Sequence, residues 1–167
     1  MSDEFSDAMK RSDHVRVYVD TEFSDFTDLQ LLSIALVMGE TEFYAEADHL
    51  PDSCTPFVRE TVIPLLRKRP SDVLPPLHMR EALVAWLLRV KGAADCVVVS
   101  YDAFEDWVLL VEVIGRCPQW LRGDNIRHRV DEQARAGFFQ TSGLPPHHAL
   151  HDARALQHGH CAWRTTS

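Results

Sequence analysis

The chain has 167 residues, 46% of them hydrophobic and 25% charged, which is enough for one domain with a buried core but hardly for two. A net charge of −8 argues against a generally basic surface that grips duplex DNA or anionic membrane by charge alone, so any nucleic-acid contact has to be local. The longest apolar stretches, Leu29 to Met38 and Val108 to Ile114, fall far short of the roughly 20 residues of a spanning helix, which excludes a helical membrane protein.

Met1 to His14 is polar and mixed in charge, without the apolar core of a secretory signal, so a cytoplasmic location is the default expectation. The expected organisation is a flexible segment over 1–14, a single domain over 15–163 and a frayed tail over 164–167. Cys54, Cys96, Cys117 and Cys161 are scattered with no C-x-x-C pair, which predicts reduced and mostly buried thiols.

Taken in chain order, valines alternate with other residues over Val15 to Asp20, the mark of a strand packed on one face. Leu29 to Met38 is a continuous apolar run, then Gly39-Glu40 reads as a tight hairpin turn into the Thr-, Phe- and Tyr-rich strand Thr41 to Glu46. Six prolines between Asp48 and Pro76 predict an irregular connection, with Thr55 to Leu66 its best short helix despite Pro64. Met79, Leu83, Trp86, Leu87 and Val90 line one face of a helix over Leu77 to Val90 that ends before Gly92. Cys96 to Ser100 reads as a strand buried on both faces. It leads into a helix over Phe104 to Ile114 whose inward face is Trp107, Leu110, Val111 and Ile114. Ile126 to Val130 is expected as a weak last strand. Beyond Gly143-Leu144-Pro145-Pro146, a helix from His147 carries Ala149, Ala153, Leu156 and Ala162 inward. The layout predicts a mixed α/β domain.

Three places carry candidate chemistry. Asp20 and Glu22, two apart on extended backbone, project from the same side of the sheet as paired hard oxygens. His147, just before the last helix, and Asp152, inside it, can face one pocket; His148 and His151 compete with His147, and His148 stands at same-face helical spacing from Asp152. A further acid comes from Asp102, Glu105 or Asp106. Asp106 is favoured because the first helical turn welcomes a carboxylate, whereas Asp102 reads as the helix N-cap. Arg59, Arg67, Lys68 and Arg69 form a basic concentration that reads as a solvated face.

The segments Asp20-Thr21-Glu22-Phe23, Asp106-Trp107 and His147-His148-Ala149-Leu150-His151-Asp152 resemble, in order and spacing, the three motifs of DEDDh 3′–5′ exonucleases of the ribonuclease H-like superfamily. Within that superfamily, Phe43-Tyr44-Ala45 and Val62-Ile63-Pro64-Leu65 resemble the small bacterial exoribonucleases that shorten adenylate-containing RNA. The resemblance implies a five-stranded mixed sheet, its second strand antiparallel to the rest, with helices on both faces. It implies that Asp20, Glu22, Asp106 and Asp152 hold two divalent cations, Mg²⁺ or Mn²⁺, with Asp20 bridging them, and that His147 is the general base. By the same resemblance Phe23 stacks on the 3′-terminal base, against its plain reading as a core phenylalanine. The implied substrate is the 3′ end of single-stranded RNA, with single-stranded DNA as the rival, and the implied assembly a homodimer. Four acids in one cleft repel one another, so cations should stabilise the fold.

Overall fold

Val17 and Val19 point to one face of the first strand and Tyr18 to the other, and that alternation seeds two layers of packing. The computed structural model describes residues 14–166; residues 1–13, where nearly all of the expected flexible segment falls, lie outside them. Its elements are β1 (His14–Phe23), β2 (Leu31–Met38), β3 (Thr41–Ala47), β4 (Val73–Leu74), α1 (Pro76–Lys91), β5 (Cys96–Tyr101), α2 (Phe104–Ile114), β6 (Leu121–Asn125), α3 (Glu132–Ser142) and α4 (Ala149–Thr166).

The strands form one mixed sheet of order β4-β3-β2-β1-β5-β6. β2 is antiparallel to β1 and β3, while β1 with β5, β5 with β6 and β3 with β4 run parallel. The sheet has six strands where five were expected, because the short β4 emerges from the proline-rich connection to pair with Glu46 and Ala47. On one face, Met79, Leu83 and Leu87 of α1 and Leu110 of α2 pack against Val17, Val19, Ile34 and Leu36. On the other, Ala149, Ala153 and Leu156 of α4 meet Tyr18, Ala35 and Val37, small residues that bring the helix close to the sheet. Gln157 of α4 ties down the hairpin by bonding Gly39, which takes a positive φ of 58° at the first turn position.

Four local expectations are corrected. Thr55 to Leu66 forms a π-helical turn over Val58–Val62 and a 3₁₀ turn over Ile63–Leu65, since Pro64 cannot supply the N–H of a regular helix. The last strand is Leu121–Asn125 and not Ile126 to Val130; polar, Gly-containing LRGDN carries little strand signal of its own and is held by its register with β5. In α2, Leu109 is buried and Val111 only half-buried, because Asp106 one turn earlier takes the inward position. α4 continues to Thr166, so residues 164–166 are helical rather than frayed, and His14 already belongs to β1.

α3 had no counterpart in the periodicity, as it buries none of its residues fully; Asp131 caps its start and Gly143 (φ 69°) its end. It packs on α4 at Gly159, where a Cβ would come within 2.7 Å of Val130 Cγ1 and 3.0 Å of the Asp131 carbonyl oxygen. None of the four cysteines is in a disulfide, as expected, but only Cys96 is buried; Cys54 is half-buried, and Cys117 and Cys161 are exposed. Among the described residues no helix is long and apolar enough to cross a membrane.

Candidate active site

β1 delivers Asp20 and Glu22 to the α4 face at its C-terminal end, and Thr21 to the opposite face. α4 begins two residues after His147, so Asp152 stands in its first turns. The Asp152 carboxylate reaches back to accept the His147 N–H at 2.8 Å and the His148 N–H at 3.2 Å. Those bonds fix the chain where His147 takes a left-handed backbone conformation (φ 64°), rare for a residue with a Cβ. The result places carboxylate oxygens of Asp20, Glu22 and Asp152 all within 4.8 Å of one another.

A second group meets at the same point. Oxygens of Asp20, Asp102 and Asp106 also lie within 4.8 Å of one another, so Asp20 is shared. Asp106 comes from the first turn of α2, and its Oδ1 accepts from the Thr21 N–H (3.0 Å) and Thr21 Oγ1 (2.7 Å). Its other oxygen, Oδ2, is buried and has no hydrogen-bond partner, although the residue is only 1% exposed. Asp102 is not the N-cap of α2: Ala103 holds that position, and Asp102 accepts from Arg135 of α3 at 2.5 Å. The choice between Asp102 and Asp106 therefore dissolves, since both reach Asp20.

The electrostatics of the group are unfavourable to charge. Burial, and then the charges of Asp106, Asp152, Glu22 and Asp102, push Asp20 well above the ordinary carboxylate range. Glu22 is pushed up to about 8 by burial and by Asp152 and Asp106. Burial raises Asp106 to about 7 against the pull of its Thr21 hydrogen bonds, with Asp102 adding to the rise. Asp152 is raised by burial even though the His147 and His148 N–H groups act to lower it.

Of these five carboxylates only that of Asp102 meets a cation of the chain, Arg135, and Asp106 is buried with an orphaned oxygen, so the group is a donor set of hard oxygens alone. That chemistry fits Mg²⁺ or Mn²⁺. Asp20, Glu22 and Asp152 would hold one cation and Asp20, Asp102 and Asp106 a second.

The remaining predicted residues sit around this group. His147 is exposed, and its ring stands edge-on to exposed Phe57 (centroids 5.0 Å apart, planes at 90°). His148 joins neither carboxylate group; its ring is stacked between Tyr44 (4.7 Å) and His151 (4.1 Å), and burial, with the neighbouring His151, lowers it to about 4. Phe23 is half-buried and packs edge-to-face on Phe26 at 5.1 Å, and Phe26 is 74% exposed. Arg67 and Arg69 are engaged locally, with the Ala47 carbonyl and with Asp72, as a solvated face would be.

Sequence reasoning missed Thr21, Tyr44 and Arg135. Thr21 was legible in principle, as the residue between two same-face acids has to point toward the α2 side; Arg135 lay in a helix without apolar periodicity. No protein-family model matches the chain, and no curated protein matches it.

Proposed function

We propose that this chain is a 3′–5′ exonuclease of the DEDDh type on a ribonuclease H-like fold, using two divalent cations to remove nucleoside 5′-monophosphates from the 3′ end of single-stranded RNA. The observation that carries the reading is the pair of carboxylate groups sharing Asp20, with the buried, unpartnered Oδ2 of Asp106 beside it. The sheet supports it too: β2 alone runs against the other strands, and helices cover both faces, as the resemblance implies.

Bound in such a set, two cations would supply charge neutralisation for the phosphate, an activated water and stabilisation of the leaving oxygen. The protein's own groups do the rest. Asp20, Glu22, Asp102, Asp106 and Asp152 would hold the cations. Asp152 also anchors the loop that presents His147, through the two backbone N–H bonds. His147 stands on the exposed side of that loop, where its imidazole takes the proton of the attacking water. The water oxygen bonds to the last phosphorus, the P–O3′ bond breaks, and the departing 3′ oxygen takes a proton from solvent, to which His147 gives up the proton it accepted, leaving a chain one nucleotide shorter. Phe23, with Phe26 against it, offers an aromatic face to the terminal base; such stacking contributes about 1–3 kcal/mol whatever the base.

A time course on 5′-labelled single-stranded RNA and DNA of one sequence tests this, with Mg²⁺, Mn²⁺ or EDTA, beside Asp20→Ala and His147→Ala. The expected result is a metal-dependent ladder shortened from the 3′ end, faster on RNA and lost in both variants. A faster ladder on DNA would reassign the sugar. No cleavage of either strand by folded protein would leave a nucleic-acid-binding module without turnover.

A further inference from the structure

In a chain of net charge −8, four arginines from distant parts of the sequence gather along one side of the acidic group. Their placement follows from the register. Arg16, Val98 and Arg122 form one row across β1, β5 and β6, and Tyr18, Ser100 and Asp124 form the next. Side chains two apart share a face, so these rows lie on the face that carries Asp20 and Asp102. The hydrogen bonds agree: Arg16 reaches Ser100 Oγ at 2.5 Å and Asp124 Oδ2 at 2.7 Å. Arg129, in the turn after β6, bonds the other oxygen of Asp124, and Arg135 bonds Asp102 at the edge of the carboxylate group. From the Asp20 row to the Arg16–Arg122 row is four residues, about 13 Å along the strands.

The charge along this line is not balanced. Two arginines share the single carboxylate of Asp124. Arg122 is exposed and forms no ion pair among the described residues, though Asp95 borders the same shallow recess. The strip is accessible at its outer edge: Val98 is the one residue of β5 that is not buried, and beside it on β6 Arg122 is exposed and Asp124 half-buried, while Ser100 lies under the Arg16 guanidinium.

We infer that Arg135, Arg129, Arg16 and Arg122 form a phosphate track along the β6 edge of the sheet, which receives the backbone of single-stranded nucleic acid upstream of the 3′ nucleotide. The inference rests on the exonuclease reading and adds the path of the rest of the strand. The occupant is a polyanion, since a row of partly compensated guanidinium groups matches successive phosphates. It is single-stranded, because the track runs along the sheet into a site that accepts a chain end. Four residues along and two strands across, Arg122 lies about 16 Å from Asp20, out of reach of a dinucleotide's one phosphodiester and within reach of a longer strand.

The test compares wild type with Arg122→Ala, Arg122→Glu and Arg122→Lys, substitutions at an exposed position that leave the Asp124 pairs in place. Binding of a fluorescent single-stranded 12-mer is followed by anisotropy at rising salt with Ca²⁺, and hydrolysis of 12-mer and dinucleotide is followed with Mg²⁺. Arg122→Ala is expected to weaken 12-mer binding about three- to tenfold at low salt and to flatten log K against log salt by about 0.7, the share of one single-strand phosphate contact. Arg122→Glu should weaken it further and Arg122→Lys should restore most of it. The 12-mer-to-dinucleotide ratio of kcat/KM should fall in parallel with binding. A 12-mer affinity and a kcat/KM ratio unchanged in Arg122→Glu would overturn the track. A wild type that hydrolyses neither substrate counts against the exonuclease reading alone, because the anisotropy series still decides whether the strand lies here.

Discussion

Asp124 and Asp20 stand on the same face of the sheet, two strands apart, and their carboxylates are driven in opposite directions. Burial acts to raise Asp124, but hydrogen bonds from Arg16 and Arg129 outweigh it and hold the group below its ordinary range. Asp20 is half-buried and crowded by Asp106, Asp152, Glu22 and Asp102, and is driven far up. At one position the chain supplies its own cations; at the other it gathers five acids around a single arginine, Arg135. Like charges gathered in a fold destabilise it unless something neutralises them, and at the second place a cation from outside would do so.

The sharpest way to break the comparison is through activity. Asp20→Ala removes the ligand common to both groups and is expected to abolish metal-dependent hydrolysis, to below a thousandth of wild type. His147→Ala should lower kcat by about 10²–10⁴ while leaving the metal-induced gain in stability intact, because His147 joins neither carboxylate group. A His147 variant that lost the metal response would make His147 a ligand and not a base; calorimetric metal titration separates the two.

The pH dependence of stability sharpens it next. Glu22 moves from an ordinary 4.5 to about 8 on folding, so between those values the unfolded chain releases a proton that the folded chain keeps. Metal-free protein should therefore lose stability as pH rises across that window and level off above it, and saturating Mg²⁺ should remove the decline. Asp124 has the opposite sign. Its stabilisation is present above its ordinary value and is lost as pH falls through its depressed one. Thermal melts from acid to pH 9, with EDTA or Mg²⁺, read both limbs, and Asp124→Asn should flatten the acid limb while lowering Tm at neutral pH by a few degrees.

The smallest expected effect lies behind His147. Tyr44→Ala removes the ring on which His148 stacks and should lower kcat several-fold, whereas Tyr44→Phe keeps the stack and most of the rate. Equal losses in the two variants would point to the hydroxyl, which donates to buried Glu46 at 2.9 Å.

Much of this contrast was legible in the sequence where one element carried the signal. Asp20 and Glu22 alternate along one strand, His147 and Asp152 flank one helix start, and the period of α1 and the unbroken apolar run of β2 announced their burial. What was not legible depends on register between distant segments. Asp102 looked like a helix cap because its partnership with Asp20 and Arg135 crosses from β5 to β1 and α3. The arginines at 16, 122, 129 and 135 form no cluster in the sequence and come together only once β1, β5 and β6 align and α3 folds back; of the basic concentration at 59–69, Arg67 and Arg69 bond to the Ala47 carbonyl and to Asp72. β6 lacked strand-forming residues and β4 spans two residues, so both owe their place to neighbours and not to propensity.

The central claim is that the shared carboxylate group is a cation site, and a thermal melt of wild type and Asp20→Asn at pH 8, in EDTA and with rising Mg²⁺ or Mn²⁺, tests it most directly. Ligand at about 100 times its Kd adds about 2.7 kcal/mol, several degrees in Tm for a chain of this size. Wild type should rise by that amount and saturate. Asp20→Asn should start higher than wild type in EDTA, relieved of repulsion, and should gain little from either metal. A wild type indifferent to both metals, with Asp20→Asn no more stable than it in EDTA, would contradict the account.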